Sequence, residues 1–222
     1  MDTLDNRRNF LYTAGIAAAS LLVACGKEDE EEDVSTNEDL MREHGVLKRI
    51  LIIYGEAASR LKSGTAVDMA LINKSATLIK TFIEDYHEKL EEDHLFPRFE
   101  KAGQLTDLTK VLRIQHQKGR LLTQRILANT KNQNTRDHDL LTKDMLAFIR
   151  MYSPHEARED TVLFPALHKL ISKHEYDSLG EDFEKIERQH FGGDGFDIAV
   201  DQVTGIEKSL GIYDLNLFTP NI

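Results

Sequence analysis

The strongest constraint on the fold is a pattern written twice in helical spacing. His87-Glu88-Lys89-Leu90-Glu91 is followed, after three residues, by Leu95-Phe96-Pro97. His155-Glu156-Ala157-Arg158-Glu159 is followed, again after three residues, by Leu163-Phe164-Pro165. One histidine stands well upstream of each copy, His44 before the first and His116 before the second. On an α-helix, positions i and i+4 lie about 40° apart around the axis, so His87 and Glu91 share a face, as do His155 and Glu159. Imidazole with carboxylate, and no thiolate, is a donor set for iron, manganese or zinc. The doubling suggests one metal centre built by a duplicated helical hairpin.

The polar residues fall where core residues belong. Leu40, His44, Leu47, Leu51, Tyr54, Ala58 and Leu61 advance in alternating steps of four and three, the mark of a buried helical seam. Leu141, Met145, Phe148, Tyr152, His155, Glu159 and Val162 repeat that alternation. Ile79, Ile83, Leu90 and His94 flank His87 and Glu91. Leu105, Leu108, Leu112, His116, Gly119, Thr123 and Ile126 form a weaker series, in which Gly119 leaves room for a close neighbour. Burying an unpaired carboxylate costs several kcal/mol or forces it to protonate. Two glutamates and four histidines in one core therefore need a joint explanation, and a dimetal cluster supplies it. The plainer reading of any one member is a satisfied core histidine or a solvated helix-face acid. The HExxH zinc-protease pattern fails, because glutamate occupies its last position. A ferritin-like di-iron carboxylate bundle would use Glu84-x-x-His87, Glu91-x-x-His94 and Glu187-x-x-His190. That scheme leaves His44, His116 and His155 idle.

These residues carry a resemblance. Arg42-Glu43-His44-Gly45, both doubled motifs and the single helix histidine His116 resemble the bacterial hemerythrin-like (HHE cation-binding) family over about residues 36 to 170. The resemblance implies an all-α, up-down four-helix bundle with a non-haem di-iron centre. It implies His44, His87, His116 and His155 as nitrogen ligands, with Glu91 and Glu159 bridging two irons. The sequence departs from the invertebrate oxygen carriers at two points. Arg120 stands where a second histidine of the third helix would be, and Asp160 rather than Glu159 matches their closing His-x-x-x-x-Asp. The duplicated spacing favours Glu159, with Asp160 as a substitute. In one subgroup the glutamate directly after the second-helix histidine contributes, which points to Glu88 and to its repeat mate Glu156. Pro154 sits inside a helical seam, where proline removes a backbone donor and crowds the preceding turn. Either a helix starts there with Ser153 as cap, or the helix kinks.

At 222 residues the chain can bury an ample core in one domain. Residues 1–25 stand apart. Arg7-Arg8-Asn9-Phe10-Leu11 resembles a twin-arginine export signal, and the apolar run from Leu11 to Ala24 is too short to span a bilayer. Leu22-Val23-Ala24-Cys25 resembles a lipoprotein processing site, and Cys25 is the only cysteine, which rules out an intrachain disulfide. The expectation is an exported protein, lipid-anchored through Cys25 in the cell envelope. Residues 26–39 hold eight acidic residues against one lysine and read as a disordered tether, which accounts for most of the formal net charge of −10. No basic patch argues for nucleic acid.

The bundle is expected over 40–171, with helices at about 36–62, 66–101, 105–130 and 138–171. Breaks fall at Lys62-Ser63-Gly64, Lys101-Ala102-Gly103 and the polar run from Thr130 to Arg136. Phe96-Pro97 and Phe164-Pro165 should plug the bundle beside the metal layer. Residues 172–222 read as a helical extension packed on the bundle, with helices at Glu175–His190 and Phe196–Leu210 around the glycine-rich turn 192–195. His190 reads as a packing or surface residue. Tyr54, Tyr86 and Tyr152 lie near the proposed ligands and read first as core aromatics, with hydrogen bonding as their functional alternative. Six ligands leave open positions on two octahedral irons. An oxygen, nitric oxide or peroxide molecule could occupy them, in a binding or sensing protein, in one that stores or senses iron, or in an enzyme acting on the same molecules. A structural metal lipoprotein that captures a protein partner is a further reading. No attached reductase or output domain selects among these.

Overall fold

The protein is described by a computed structural model covering residues 34–131 and 137–222. The export signal with Cys25, the tether up to Asp33 and the break at 132–136 lie outside the described residues; residues 36–39, read as the end of the tether, instead form the first turn of a helix capped by Ser35. Six helices account for nearly all the rest. Helix α1 is Thr36–Lys62, α2 spans 69–102, α3 is Thr106–Thr130, α4 spans 138–170, α5 is Lys173–Phe191 and α6 is Gly195–Leu210. There is no strand among the described residues.

Their ends follow from short polar side chains that satisfy the first free amides. Ser35 accepts from the Glu38 amide, Asp68 from Ala70, Asp137 from Leu140, Ser172 from Glu175 and Asp194 from Asp197. Asp68 therefore starts α2 a few residues later than the apolar pattern alone implies. Gly103 closes α2 with φ 65°, a left-handed cap that glycine adopts without steric cost.

Helices α1 to α4 form the up-down bundle: α1 packs on α4, α4 on α3, α3 on α2 and α2 on α1. The seam residues are inside. Leu40, Leu47, Tyr54, Ala58, Ile79, Ile83, Leu112, Ile126, Met145, Phe148 and Tyr152 are at most 1% exposed. Each large apolar side chain so buried contributes roughly 1.5–3 kcal/mol. The extension covers α1 and α2. Arg49 of α1 donates to both carboxylate oxygens of Glu207 in α6 at 3.0 and 2.6 Å and to Thr204 Oγ1 at 2.7 Å. The Tyr176 hydroxyl of α5 accepts the Asn37 amide at 2.8 Å, and Phe191 packs on Phe82 and Tyr86.

Helices α2 and α4 are not uniformly α-helical. Each copy of the motif contains a π turn, Glu91–Leu95 in α2 and Glu159–Leu163 in α4. In both, the phenylalanine before the proline donates its amide five residues back, Phe96 to the Glu91 carbonyl and Phe164 to that of Glu159. The cause is in the sequence. Pro97 and Pro165 have no amide hydrogen, and their rings crowd the carbonyl four residues earlier, which favours a locally widened turn. A longer π segment, Ile79–His87, leads into the first motif and ends on its histidine. Pro154 neither starts nor ends a helix: α-helical structure runs from His138 to Arg158 through it. Pro154 and Arg150, whose carbonyl loses its helical partner, both lie on the exposed face of the helix.

Gly119 is needed for packing. A Cβ there would lie 2.0 Å from Tyr152 Oη. Alanine favours a helix over glycine by about 1 kcal/mol. Overpacking costs about 1–3 kcal/mol, and displacing a hydroxyl bonded to a carboxylate costs about as much again. Gly119→Ala should therefore lower the melting temperature despite its better helix propensity. An unchanged or raised melting temperature would show that Tyr152 does not occupy this notch.

Candidate metal centre

Each bundle helix brings one histidine to a common layer. Nε2 of His44 in α1 lies 3.0 Å from Nε2 of His87 in α2, and Nε2 of His116 in α3 lies 3.2 Å from Nε2 of His155 in α4. Two glutamates span these pairs. Glu159 Oε2 is 3.5 Å from His44 Nε2 and 3.1 Å from His155 Nε2. Glu91 Oε2 is 3.8 Å from His87 Nε2 and 3.4 Å from His116 Nε2. Each carboxylate thus touches one histidine of each pair. All six side chains are buried, and none of the four carboxylate oxygens makes a hydrogen bond.

Buried polar atoms are normally satisfied, and four orphaned oxygens in one spot call for a missing partner. A cation between oxygens and imidazoles is the fitting one. Donor atoms of Glu91, His116, His155 and Glu159 lie within 4.8 Å of one another, and those of His44, His87 and Glu91 do likewise. Without a cation the charged forms are disfavoured. Burial pushes the Glu91 and Glu159 carboxyls well above the usual range; charge on Glu159 and Glu88 adds to this for Glu91, and charge on Glu88, Asp160 and Glu156 adds to it for Glu159. Burial, then charge on His155, drives His87 down to about 3; burial, then charge on His44, does the same to His155. Burial also lowers His44 and His116.

A second ring of residues aims the imidazoles. Every Nδ1 faces an oxygen: His44 meets Asp160 at 2.7 Å, His87 meets Glu43 at 2.5 Å, His116 meets Glu92 at 3.1 Å and His155 meets the Gln115 side-chain oxygen at 2.9 Å. Acceptors at Nδ1 place the proton there and leave the Nε2 lone pair pointing inward. Phe164 stacks on His44 and Phe96 on His116, with centroids 5.4 and 5.6 Å apart. The two Phe-Pro plugs therefore cap the histidine layer at equivalent points. Glu43 and Gln115 each directly precede the lone histidine of their helix, so the duplication extends beyond the motif that revealed it.

Glu88, Glu156 and Asp160 are placed differently from the six. Neither Glu88 nor Glu156 is a solvated face acid, since they are 1% and 3% exposed. Tyr152 donates to Glu88 Oε1 at 2.6 Å, and Arg120 lies 2.6 Å from its Oε2. Lys48 pairs with Glu156. Lys48 and Arg120 stand four residues after His44 and His116, so both copies neutralise this glutamate from one position. Glu88 does come within ligating distance of Glu92 and His116, but Arg120 sits on both acids, 2.8 Å from Glu92. Asp160 serves the Nδ1 of His44. The tyrosine alternatives divide: Tyr152 is a hydrogen-bond donor, while Tyr54 packs edge-on against Phe148 as a core aromatic. Of the ferritin-like set, His94 is half-buried against Phe183 and His190 is exposed beside Tyr86, so those histidines are not brought together.

Comparison with known proteins agrees with this geometry. The hemerythrin HHE cation binding domain family matches residues 35–167, which contain α1 to α3 and nearly all of α4. An uncharacterised protein of Mycobacterium bovis and another of Mycobacterium tuberculosis are each 54% identical over 196 residues, covering 87% of this chain and 77% of theirs. No solved structure gives a significant match. Four helices each delivering one inward imidazole, two glutamates spanning the pairs and a family match across the same helices lead to one assignment: the chain belongs to the hemerythrin HHE cation-binding family.

Proposed function

We propose that the chain is a non-haem di-iron protein of the cell envelope that binds a small molecule such as oxygen, nitric oxide or peroxide. The observation that carries this reading is the pair of glutamates whose four oxygens make no hydrogen bond and whose Oε2 atoms each face two converging Nε2 atoms. His44 and His87 would hold one ion, His116 and His155 the other, and Glu91 and Glu159 would bridge them. Manganese or zinc would find the same donors acceptable. When bound, an iron pair supplies two-electron redox chemistry and open coordination positions.

The chain's own residues prepare this site. Asp160, Glu43, Glu92 and Gln115 fix the imidazoles. Phe96 and Phe164 keep water from the histidine layer. Lys48 and Arg120 hold Glu156 and Glu88 as compensated charges. Enzyme activity on the same small molecules is a second reading, favoured by the buried Tyr152 hydroxyl, whose ring lies 5.2 Å from that of His155. The test is metal analysis of the full-length chain after growth with iron, with optical spectra recorded with and without oxygen, nitric oxide and peroxide. The expected result is about two irons per chain and spectra that respond to at least one of these molecules. Iron below one per chain, or stoichiometric zinc in its place, sinks the reading.

The envelope location rests on residues 1–25 alone. In this reading Arg7 and Arg8 direct export, Cys25 carries the lipid and the acidic tether holds the bundle off the membrane. No helix among the described residues is long and apolar enough to cross a membrane. Lysines in place of Arg7 and Arg8 should trap precursor in the cytoplasm. Radiolabelled palmitate should enter the wild-type protein and not Cys25→Ser. Wild-type protein without label would show that the segment is not a lipoprotein signal.

A further inference from the structure

The two histidine pairs look alike from the inside and differ on the outside. His44 and His87 lean on two carboxylates, Asp160 and Glu43. Neither carboxylate is paired with a lysine or arginine among the described residues. His116 leans on Glu92, which is shared with Arg120 at 2.8 Å and Lys89 at 2.7 Å. His155 leans on the neutral amide of Gln115. One pair therefore leans on two carboxyl groups that no lysine or arginine among the described residues neutralises. The other carries one acid answered by two cations, and an uncharged group.

Access differs as well. A surface pocket of about 240 Å³ between α3 and α4 is walled by Leu108, Val111 and Pro154 and reaches Gln115 and His155. The Gln115–His155 hydrogen bond thus lies beside solvent-accessible space. Glu43 of the other pair is fully buried, and only its companion Asp160 is partly exposed.

We propose that the two metal positions are inequivalent: the one at His44 and His87 binds a cation more tightly and fills first, while the one at His116 and His155 fills last and empties first. The inference rests on the dinuclear reading above and adds an order to it. A carboxylate accepting from Nδ1 pushes electron density onto Nε2 and strengthens its bond to a cation; losing such a partner typically costs 10–100-fold in metal affinity. An amide oxygen does this less, and an acid already held by two cations has less charge to give. The asymmetry is sharpest at one residue pair in matching register, Glu43 against Gln115, so exchanging their chemistry should move it.

The test is an anaerobic titration of the metal-free, full-length chain with ferrous iron, read by calorimetry, with Mössbauer spectra at one and two equivalents. Two binding steps separated by about 10-fold or more are expected, with one quadrupole doublet at one equivalent and a second at two. Glu43→Gln should weaken the tighter step, and Gln115→Glu should strengthen the weaker one, each narrowing the gap. Gln115 is only partly buried, so its variant decides the matter even if Glu43→Gln fails to fold. Two ions bound with equal affinity, or a gap unmoved by Gln115→Glu, overturn the inequivalence and leave the dinuclear site standing. Less than one ion bound in total overturns the dinuclear reading itself, and this inference with it.

Discussion

Alanine in place of either Glu91 or Glu159 removes most of the iron from the full-length chain, from about two ions to fewer than one. The reason is geometric. Each glutamate touches one histidine from each pair, so its loss strips both positions at once. A histidine variant strips chiefly its own. Glu88→Ala and Glu156→Ala should lose less, because Arg120, Tyr152 and Lys48 already occupy those carboxylates. His94→Ala and His190→Ala should keep the full complement, since neither ring reaches the cluster. Metal analysis beside far-ultraviolet circular dichroism separates loss of iron from loss of fold. If His94 or His190 proved essential while His44 and His116 did not, the ligand set would have to be redrawn along ferritin-like lines.

Four of the six central residues, His44, His116, His155 and Glu159, were legible in the sequence because they sit at seam positions, where an uncompensated polar side chain is costly; His87 and Glu91 were legible from the doubled spacing. His44 falls in the Leu40 to Leu61 series and Glu159 in the Leu141 to Val162 series, and both are inside as that spacing requires. The Phe-Pro plugs were legible from the same doubling. The π turns were not, since a hydrophobic period only reports which side of a helix is apolar and does not register one widened turn. Pro97 and Pro165 carried that information in their missing amides. Pro154 was ambiguous because its cost depends on whether the orphaned carbonyl meets water, which only packing decides. Asp160 shows the limit most clearly. Its spacing from His155 fits a ligand, yet its carboxylate meets the other nitrogen of His44, a choice made by rotamer and helix phase. Glu43 and Gln115 escaped notice as partners for the same reason, although their place just before each lone histidine repeats in the sequence.

Metal-free protein should be most stable at mildly acidic pH and lose stability in both directions, whereas the iron-loaded protein should hold through neutral and mildly alkaline pH. On the alkaline side, burial raises the Glu43 carboxyl from 4.5 to about 8 and raises Glu91 and Glu159 well above their usual range. Between the unfolded and folded values the native chain keeps protons that the unfolded chain has released. Stability from these groups is complete below about pH 4.5 and is lost as pH climbs through the folded values, at roughly 1.4 kcal/mol per pH unit for each such proton. On the acid side, His87 and His155 fall from 6.5 to about 3. There the unfolded chain takes up protons that the native chain refuses, so stability falls as pH drops from about 6.5 toward 3. Bound iron changes the alkaline arm specifically, because ionised carboxylates and neutral imidazoles are the forms that ligate, and a ligand that binds only the folded state adds stability by mass action. Melting temperatures of metal-free and iron-loaded protein across pH 5 to 8 check this directly. The gap between the two curves should widen steadily from pH 6.5 to 8. A metal-free melting temperature that stays level or rises over that interval would mean that Glu91 and Glu159 are not confined in a dry core awaiting a cation, and the reading of their unbonded oxygens as a metal-binding pair would lose its physical basis.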